Sequence, residues 1–88
     1  MSREESIKEI ADYYGFNHQC KKIVEEMGEL TVEICKQDTK KIEEELADVL
    51  VLAMQLRLFL DNDRIESIID YKINRQIGRM AKEINTYL

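Results

Sequence analysis

Apolar residues recur at intervals of three and four residues along four stretches of this chain, which is the spacing of one face of an α-helix. The clearest stripes are Ile23, Met27, Leu30 and Ile34, and then Ile65, Ile69, Ile73, Ile77, Met80 and Ile84. The chain has 88 residues, no proline and three glycines, so little in it interrupts helices. The sequence therefore predicts an all-α fold of four helices, in a single domain over residues 1–88.

Residues that commonly cap helices predict where these four helices begin and end. In chain order they are Ser2 with Glu5, Gly15, Asn17, Asp38 or Thr39, and Asp63 with Glu66. A short polar connection, residues 36–40, joins the second and third helices. We therefore expect these two helices to be antiparallel neighbours.

The second half of the third helix is apolar almost all round, from Val49 to Leu60. Such a helix is buried on several sides, and one chain of this size supplies too little surface to cover it. We therefore expect a helical bundle that is completed by oligomerisation, as a homodimer or a homotetramer.

Charge and composition exclude several kinds of partner. The net charge is −5 and the pI is near 4.9, whereas nucleic acids and anionic membranes require a basic surface. No secretory signal is expected, because Arg3, Glu4 and Glu5 interrupt the N-terminus. Cys20 and Cys35 match no metal-binding spacing and indicate reduced thiols. The chain is therefore predicted to be cytoplasmic, with no nucleic acid or membrane partner.

Two acidic pairs lie on the second and third helices. Glu26 with Glu29, and Glu45 with Asp48, are each spaced three residues apart, so each pair shares a helix face. The antiparallel hairpin would bring the pairs to similar heights, and four carboxylates need a compensating cation. Oxygen ligands of this kind favour Mg²⁺, Mn²⁺ or Ca²⁺. The alternative is that both pairs belong to solvated helix faces.

Three cations on the fourth helix, Lys72, Arg75 and Arg79, share one face and suit phosphate groups, or else form an ordinary solvated face. A di-iron site is not expected, because the one histidine, His18, lies near neither acidic pair. There is also no serine or cysteine arrangement that indicates nucleophilic catalysis.

The spacing Glu26-x-x-Glu29, then Glu45-x-x-Asp48, resembles the metal-binding signature of the MazG-like, all-α nucleotide pyrophosphohydrolases. Dimeric dUTPases and phosphoribosyl-ATP pyrophosphohydrolase are relatives within that superfamily. The flanking segments, residues 22–30 and 44–50, look like the second helix and the start of the third in this family. The resemblance covers roughly residues 15 to 80, and it implies a MazG-like four-helix hairpin bundle.

What the resemblance implies is an Mg²⁺-dependent enzyme, with Mn²⁺ as a substitute. It would cleave a nucleoside triphosphate between the α and β phosphates to give a nucleoside monophosphate and pyrophosphate. The metal ligands would be Glu26, Glu29, Glu45 and Asp48, and Glu25 or Glu44 would orient or deprotonate the attacking water. The substrate-binding residues would be Gln19, Lys22, Lys72, Arg75 and Arg79. Gln76 stands where many relatives have asparagine.

Two other functions stay open at this point. One is a non-catalytic acidic helical module that binds another protein, with its carboxylates in solvent. The other is hydrolysis of phosphoribosyl-ATP, or of a nucleotide-sugar-like diphosphate, by an enzyme of the same superfamily. A nucleotide panel and a metal-dependent thermal melt distinguish these functions.

Overall fold

The computed structural model describes residues 1–87, which form four α-helices joined by short connections. They are α1 (Arg3–Tyr14), α2 (Phe16–Lys36), α3 (Thr39–Arg57) and α4 (Asn62–Tyr87). The predicted all-α class and the number of helices are confirmed. None of these described helices is long and apolar enough to cross a membrane.

Helix α1 begins where the capping box predicts, because the Ser2 hydroxyl accepts a hydrogen bond from the Glu5 backbone N–H at 3.1 Å. Gly15 alone separates α1 from α2, and its φ of 83° is a conformation that glycine adopts without strain. Because this glycine turns the chain within one residue, α2 already begins at Phe16. The prediction that Asn17 caps α2 is therefore wrong.

Helices α2 and α3 form the antiparallel hairpin that the sequence predicts. Gln37, in the left-handed conformation with φ 58°, ends α2, and the Asp38 carboxylate caps α3 by accepting from the Lys41 N–H at 3.3 Å. Residues that meet across the hairpin run in opposite directions along the two helices: Phe16 with Phe59, Gln19 with Gln55, and Glu26 with Asp48. This is the most extensive helix pair in the molecule.

Helix α4 is capped by Asp61, whose carboxylate accepts from the Arg64 N–H at 3.0 Å, so the predicted cap at Asp63 is wrong. Glu66, the other half of that predicted box, pairs instead with Arg57 at 2.6 Å. Arg57 also donates to the Asn62 side chain at 3.0 Å, which ties the first turn of α4 to the end of α3. Beyond this joint, the described part of α4 packs little against the other helices.

Within the described residues, the buried apolar side chains are those of Ala11 and Leu52 alone. The radius of gyration is 16.9 Å, against about 12 Å for a compact domain of this length. Large apolar side chains on α3 and α4 remain open to solvent; Leu50 is 48% exposed and Ile77 57% exposed. The single chain thus leaves uncovered the apolar surface that the sequence predicts to be buried.

Candidate functional site

Carboxylates from α2 and α3 cluster on one side of the hairpin. Oxygens of Glu26, Glu45 and Asp48 lie within 4.8 Å of one another, and so do oxygens of Glu25, Glu26 and Glu29. Glu26 belongs to both groups and is 9% exposed. The two predicted pairs therefore meet across the hairpin, with Glu26 at the centre.

The electrostatics of this cluster are those of like charges held together. The carboxyl group of Glu26 raises the pKa of Glu29, with burial and Glu45 adding to the effect. Burial raises the pKa of Glu45, and Asp48 and Glu26 add to it, while a hydrogen bond with Glu29 works in the opposite direction. The raised pKa values of Glu29 and Glu45 therefore reflect crowding of like charges, which the Lys22 ammonium beside Glu25 and Glu26 offsets only in part.

Two carboxylates of the cluster have a buried oxygen without a partner in the described part of the chain, which is compatible with a hard cation. One oxygen each of Glu26 and Glu45 is buried and makes no hydrogen bond within the described residues. A buried acceptor without a donor is costly, and divalent cations such as Mg²⁺ prefer oxygen ligands of this kind. The donor set suits Mg²⁺ or Mn²⁺ better than softer metals, because no sulfur or imidazole belongs to either carboxylate group.

A cleft of about 620 Å³ opens beside the carboxylates, which is within the range of small-molecule binding sites. It is lined by Tyr14, His18, Gln19, Lys22, Glu25, Glu26, Asp48, Val51 and Leu52. One side is thus acidic, and the other is built from aromatic and amide side chains. This division suits a ligand with an anionic part and a ring.

At the aromatic end of the cleft, the side chains are joined by hydrogen bonds and stacking. Gln19 Nε2 donates to Gln55 Oε1 at 2.6 Å, and both glutamines are buried. His18 Nδ1 lies 2.8 Å from Gln19 Oε1, and the His18 ring stacks on Tyr14 with 4.8 Å between centroids. These contacts hold Gln19 and His18 in defined positions on the cleft wall.

Lys22 supplies a cation between the two ends of the cleft. Its Nζ lies 3.4 Å from Glu25 Oε1 and 3.5 Å from Glu26 Oε1. Glu25 above all, and then Glu26, raises the pKa of Lys22, so the amine stays charged. The predicted substrate residues Gln19 and Lys22 therefore both line the cleft, next to the carboxylates.

The other predicted site residues lie outside this cleft. Glu44 is exposed on α3 and belongs to neither carboxylate group, whereas Glu25 belongs to one and lines the cleft. Lys72, Arg75 and Arg79 are exposed on α4, where Arg75 lies 6.0 Å from the centroid of the Tyr71 ring. In this single chain they do not meet the acidic pairs.

The sequence interpretation assigned no site role to two polar residues of the hairpin, Gln55 and Glu33. Gln55 lies within an apolar run and contacts Gln19 from a distance of 36 residues along the chain, so no local pattern indicates its role. Glu33 continues the acidic face of α2, and one of its oxygens is buried without a hydrogen bond in the described structure. Its spacing from Glu26 and Glu29 was the available signal.

Comparison with protein-family models matches residues 16–80 to the MazG nucleotide pyrophosphohydrolase domain. The match contains the whole hairpin, both acidic pairs and most of α4. Neither the curated proteins nor the solved structures give a significant match.

Proposed function

Because the chain belongs to the MazG nucleotide pyrophosphohydrolase family, we propose that it hydrolyses a nucleoside triphosphate between the α and β phosphates. The products are a nucleoside monophosphate and pyrophosphate. The observation that carries this proposal is the meeting of Glu26, Glu45 and Asp48 within 4.8 Å, beside a cleft of nucleotide size.

Glu26, Glu29, Glu45 and Asp48 would hold Mg²⁺, or Mn²⁺ in its place. When bound, such an ion neutralises charge on phosphate oxygens and lowers the pKa of a coordinated water. The chain contributes the placement of these carboxylates on two helices joined by a two-residue turn, Gln37 and Asp38. That rigidity matters because the ligands must converge on one point.

Glu25 is the better of the two predicted bases. It lines the cleft next to Glu26, whereas Glu44 does not. We assign Glu25 the role of accepting the proton of the attacking water. Lys22, which lies between Glu25 and Glu26, would turn to a phosphate oxygen once the carboxylates have a cation as a partner.

Alanine at Glu45 or Asp48 tests the activity. Each variant should lose pyrophosphate release from every nucleotide of a panel, because each removes a carboxylate that no neighbour replaces. The panel includes standard and damaged nucleoside triphosphates and phosphoribosyl-ATP, assayed with Mg²⁺. Circular dichroism should show unchanged helicity. Undiminished release by both variants would contradict the proposal.

A non-catalytic interaction module is the second candidate, favoured by the exposed apolar faces of α3 and α4. It predicts no thermal shift with Mg²⁺ or Mn²⁺ and no pyrophosphate release from any nucleotide. The hydrolase predicts a rise in melting temperature with metal, since binding to the folded state alone stabilises it. Melts with and without metal distinguish the two.

We also propose that the chain works as a homo-oligomer, a dimer or a tetramer, in which α4 of one copy reaches the cleft of another. Lys72, Arg75 and Arg79 lie outside the cleft of their own chain. Their helix also carries an exposed apolar stripe, which includes Ile73 and Ile77. A second copy would cover this stripe and bring the three cations to the phosphates.

Mixed oligomers test this arrangement. Glu45→Ala removes a carboxylate of the hairpin and Arg79→Ala removes a cation of α4, so each variant alone should be weak. Co-folded in equal amounts, they form some sites with an intact hairpin from one chain and an intact α4 from the other. Activity should then recover to about a quarter of wild type in a dimer. Activity no higher than the mean of the two variants would contradict the exchange.

A further inference from the structure

Two glutamines on different helices are buried against each other at the cleft wall. Gln19 on α2 is 3% exposed, and Gln55 on α3 is 2% exposed. The hydrogen bond from Gln19 Nε2 to Gln55 Oε1 is 2.6 Å long. In this orientation each buried amide has a partner, and the Gln19 nitrogen faces Gln55.

The direction of that bond determines the tautomer of His18, that is, which ring nitrogen carries the hydrogen. With its nitrogen directed to Gln55, Gln19 presents its oxygen to His18 Nδ1 at 2.8 Å. An amide oxygen only accepts, so Nδ1 must carry the hydrogen. In a neutral imidazole the other nitrogen, Nε2, is then an acceptor. Stacking on Tyr14, with rings inclined by 20°, holds the ring in this orientation.

Nε2 of His18 remains available for a ligand. It makes no hydrogen bond within the part of the chain that the structure describes, and His18 lines the cleft. The carboxylates lie elsewhere on the cleft wall, where phosphates would bind. His18 and Gln19 therefore belong to the end that a nucleobase would occupy.

We infer that Gln55 is a positioning residue for base recognition: through Gln19 it holds His18 with Nε2 as a hydrogen-bond acceptor for an N–H group of the nucleobase. The part of this inference that concerns the base rests on the proposed function. Gln55 itself touches no substrate and acts through Gln19.

Nuclear magnetic resonance of the wild-type chain tests the hydrogen-bond chain from Gln55 through Gln19 to His18 without any substitution. His18 is the one histidine of the sequence, so ¹⁵N-histidine labelling gives a single imidazole. At mildly alkaline pH the nitrogen shifts should show hydrogen on Nδ1 and not on Nε2. If both amides were rotated, Gln19 would donate to Nδ1, and the hydrogen would lie on Nε2. That result would overturn the inference.

Two substitutions of Gln55 distinguish positioning from simple packing. Gln55→Met fills similar space but cannot accept a hydrogen bond, so the Nδ1–H population should fall. The KM for the preferred nucleotide should rise about tenfold while kcat changes by less than about twofold. Gln55→Glu keeps an acceptor for Gln19 and should retain both the Nδ1–H state and a KM near that of wild type.

Leu56→Met is the matched control, because it changes the neighbouring half-buried position of α3 without removing a polar group. Its KM and imidazole signals should match wild type. The inference fails if Gln55→Met leaves both the KM and the imidazole shifts unchanged, or if it lowers kcat instead of raising KM. It also fails if Gln55→Glu changes the KM and the shifts as much as Gln55→Met does. If no nucleotide releases pyrophosphate, the proposed function fails. The imidazole spectrum still tests whether Gln55 and Gln19 hold the hydrogen on Nδ1 of His18.

Discussion

The α2–α3 hairpin and helix α4 differ in how far their side chains are contacted by the rest of the chain. In the hairpin, polar side chains meet across the helices, as Gln19 and Gln55 do, and Glu26 lies among carboxylates from both. In α4, a salt bridge at the first turn is followed by an apolar stripe that stays exposed, with Ile73 at 54%. One chain thus assembles the carboxylates of the proposed metal site. In the arrangement proposed above, the cations that bind phosphate come from α4 of a second copy.

The largest effect is expected from Glu26→Gln, because Glu26 is shared by both carboxylate groups. Pyrophosphate release should fall by about three orders of magnitude, which corresponds to roughly 4 kcal/mol of transition-state stabilisation. The matched control is Glu9→Gln on the exposed surface of α1, which should keep wild-type activity. Equal activity of the two variants would show that the hairpin does not carry the chemistry.

A charge within the apolar stripe tests the α4 side of the comparison. Ile77→Glu would bury a carboxylate in the proposed contact between copies, which costs several kcal/mol per ion. The dissociation constant of the oligomer should rise by about a hundredfold or more. The molar mass, measured by light scattering after size exclusion, should fall accordingly. Ser67→Glu, which adds the same charge to another face of α4, should leave the mass unchanged. Identical masses for Ile77→Glu and wild type would place the contact elsewhere.

A smaller effect concerns pH and the hairpin alone. The pKa of Glu29 is raised above its ordinary value of 4.5, chiefly by Glu26. The folded chain therefore binds a proton there more readily than the unfolded chain, so this site disfavours folding at neutral pH and ceases to do so as pH falls. Without metal, Glu29→Gln should melt above wild type at neutral pH.

This advantage should shrink as the pH falls from neutral and vanish below about 4, where glutamate is protonated in both states. Thermal melts across that range in chelator measure it. Saturating Mg²⁺ should reverse the order of the melting temperatures at neutral pH, because only wild type keeps all four proposed ligands. A constant difference at every pH would contradict the charge repulsion.

The smallest effects come from the two aspartate caps, one for each region. Asp38→Ala and Asp61→Ala should each cost about 1 kcal/mol of local helix stability. Loss of the Asp38 cap should weaken the hairpin and lower the metal-induced rise in melting temperature. Loss of the Asp61 cap should increase hydrogen exchange at residues 62–66 and leave exchange in α2 unchanged. If both variants alter α2 equally, α4 and the hairpin unfold as one unit.

Local patterns predicted the helices and the acidic pairs, because both depend on residues three or four apart. The caps were less predictable. Gly15 turns the chain in one residue, so Asn17 falls inside α2, and Asp61 and Asp63 are both plausible caps by their chemistry. Gln55 was beyond such patterns, because a buried amide within an apolar run gains its meaning only from a partner on another helix.

The two-residue turn at Gln37 and Asp38 has a consequence for changes in chain length. Surface loops usually accept insertions, because a longer loop leaves the packed helices and strands in place. Here one residue added within either helix, between an acidic pair and the turn, would rotate that pair by about 100° and shift it by about 1.5 Å. The 15 residues between Glu29 and Glu45 therefore act as a spacer of defined length. Among relatives of this chain, substitutions in that segment should be far commoner than insertions or deletions.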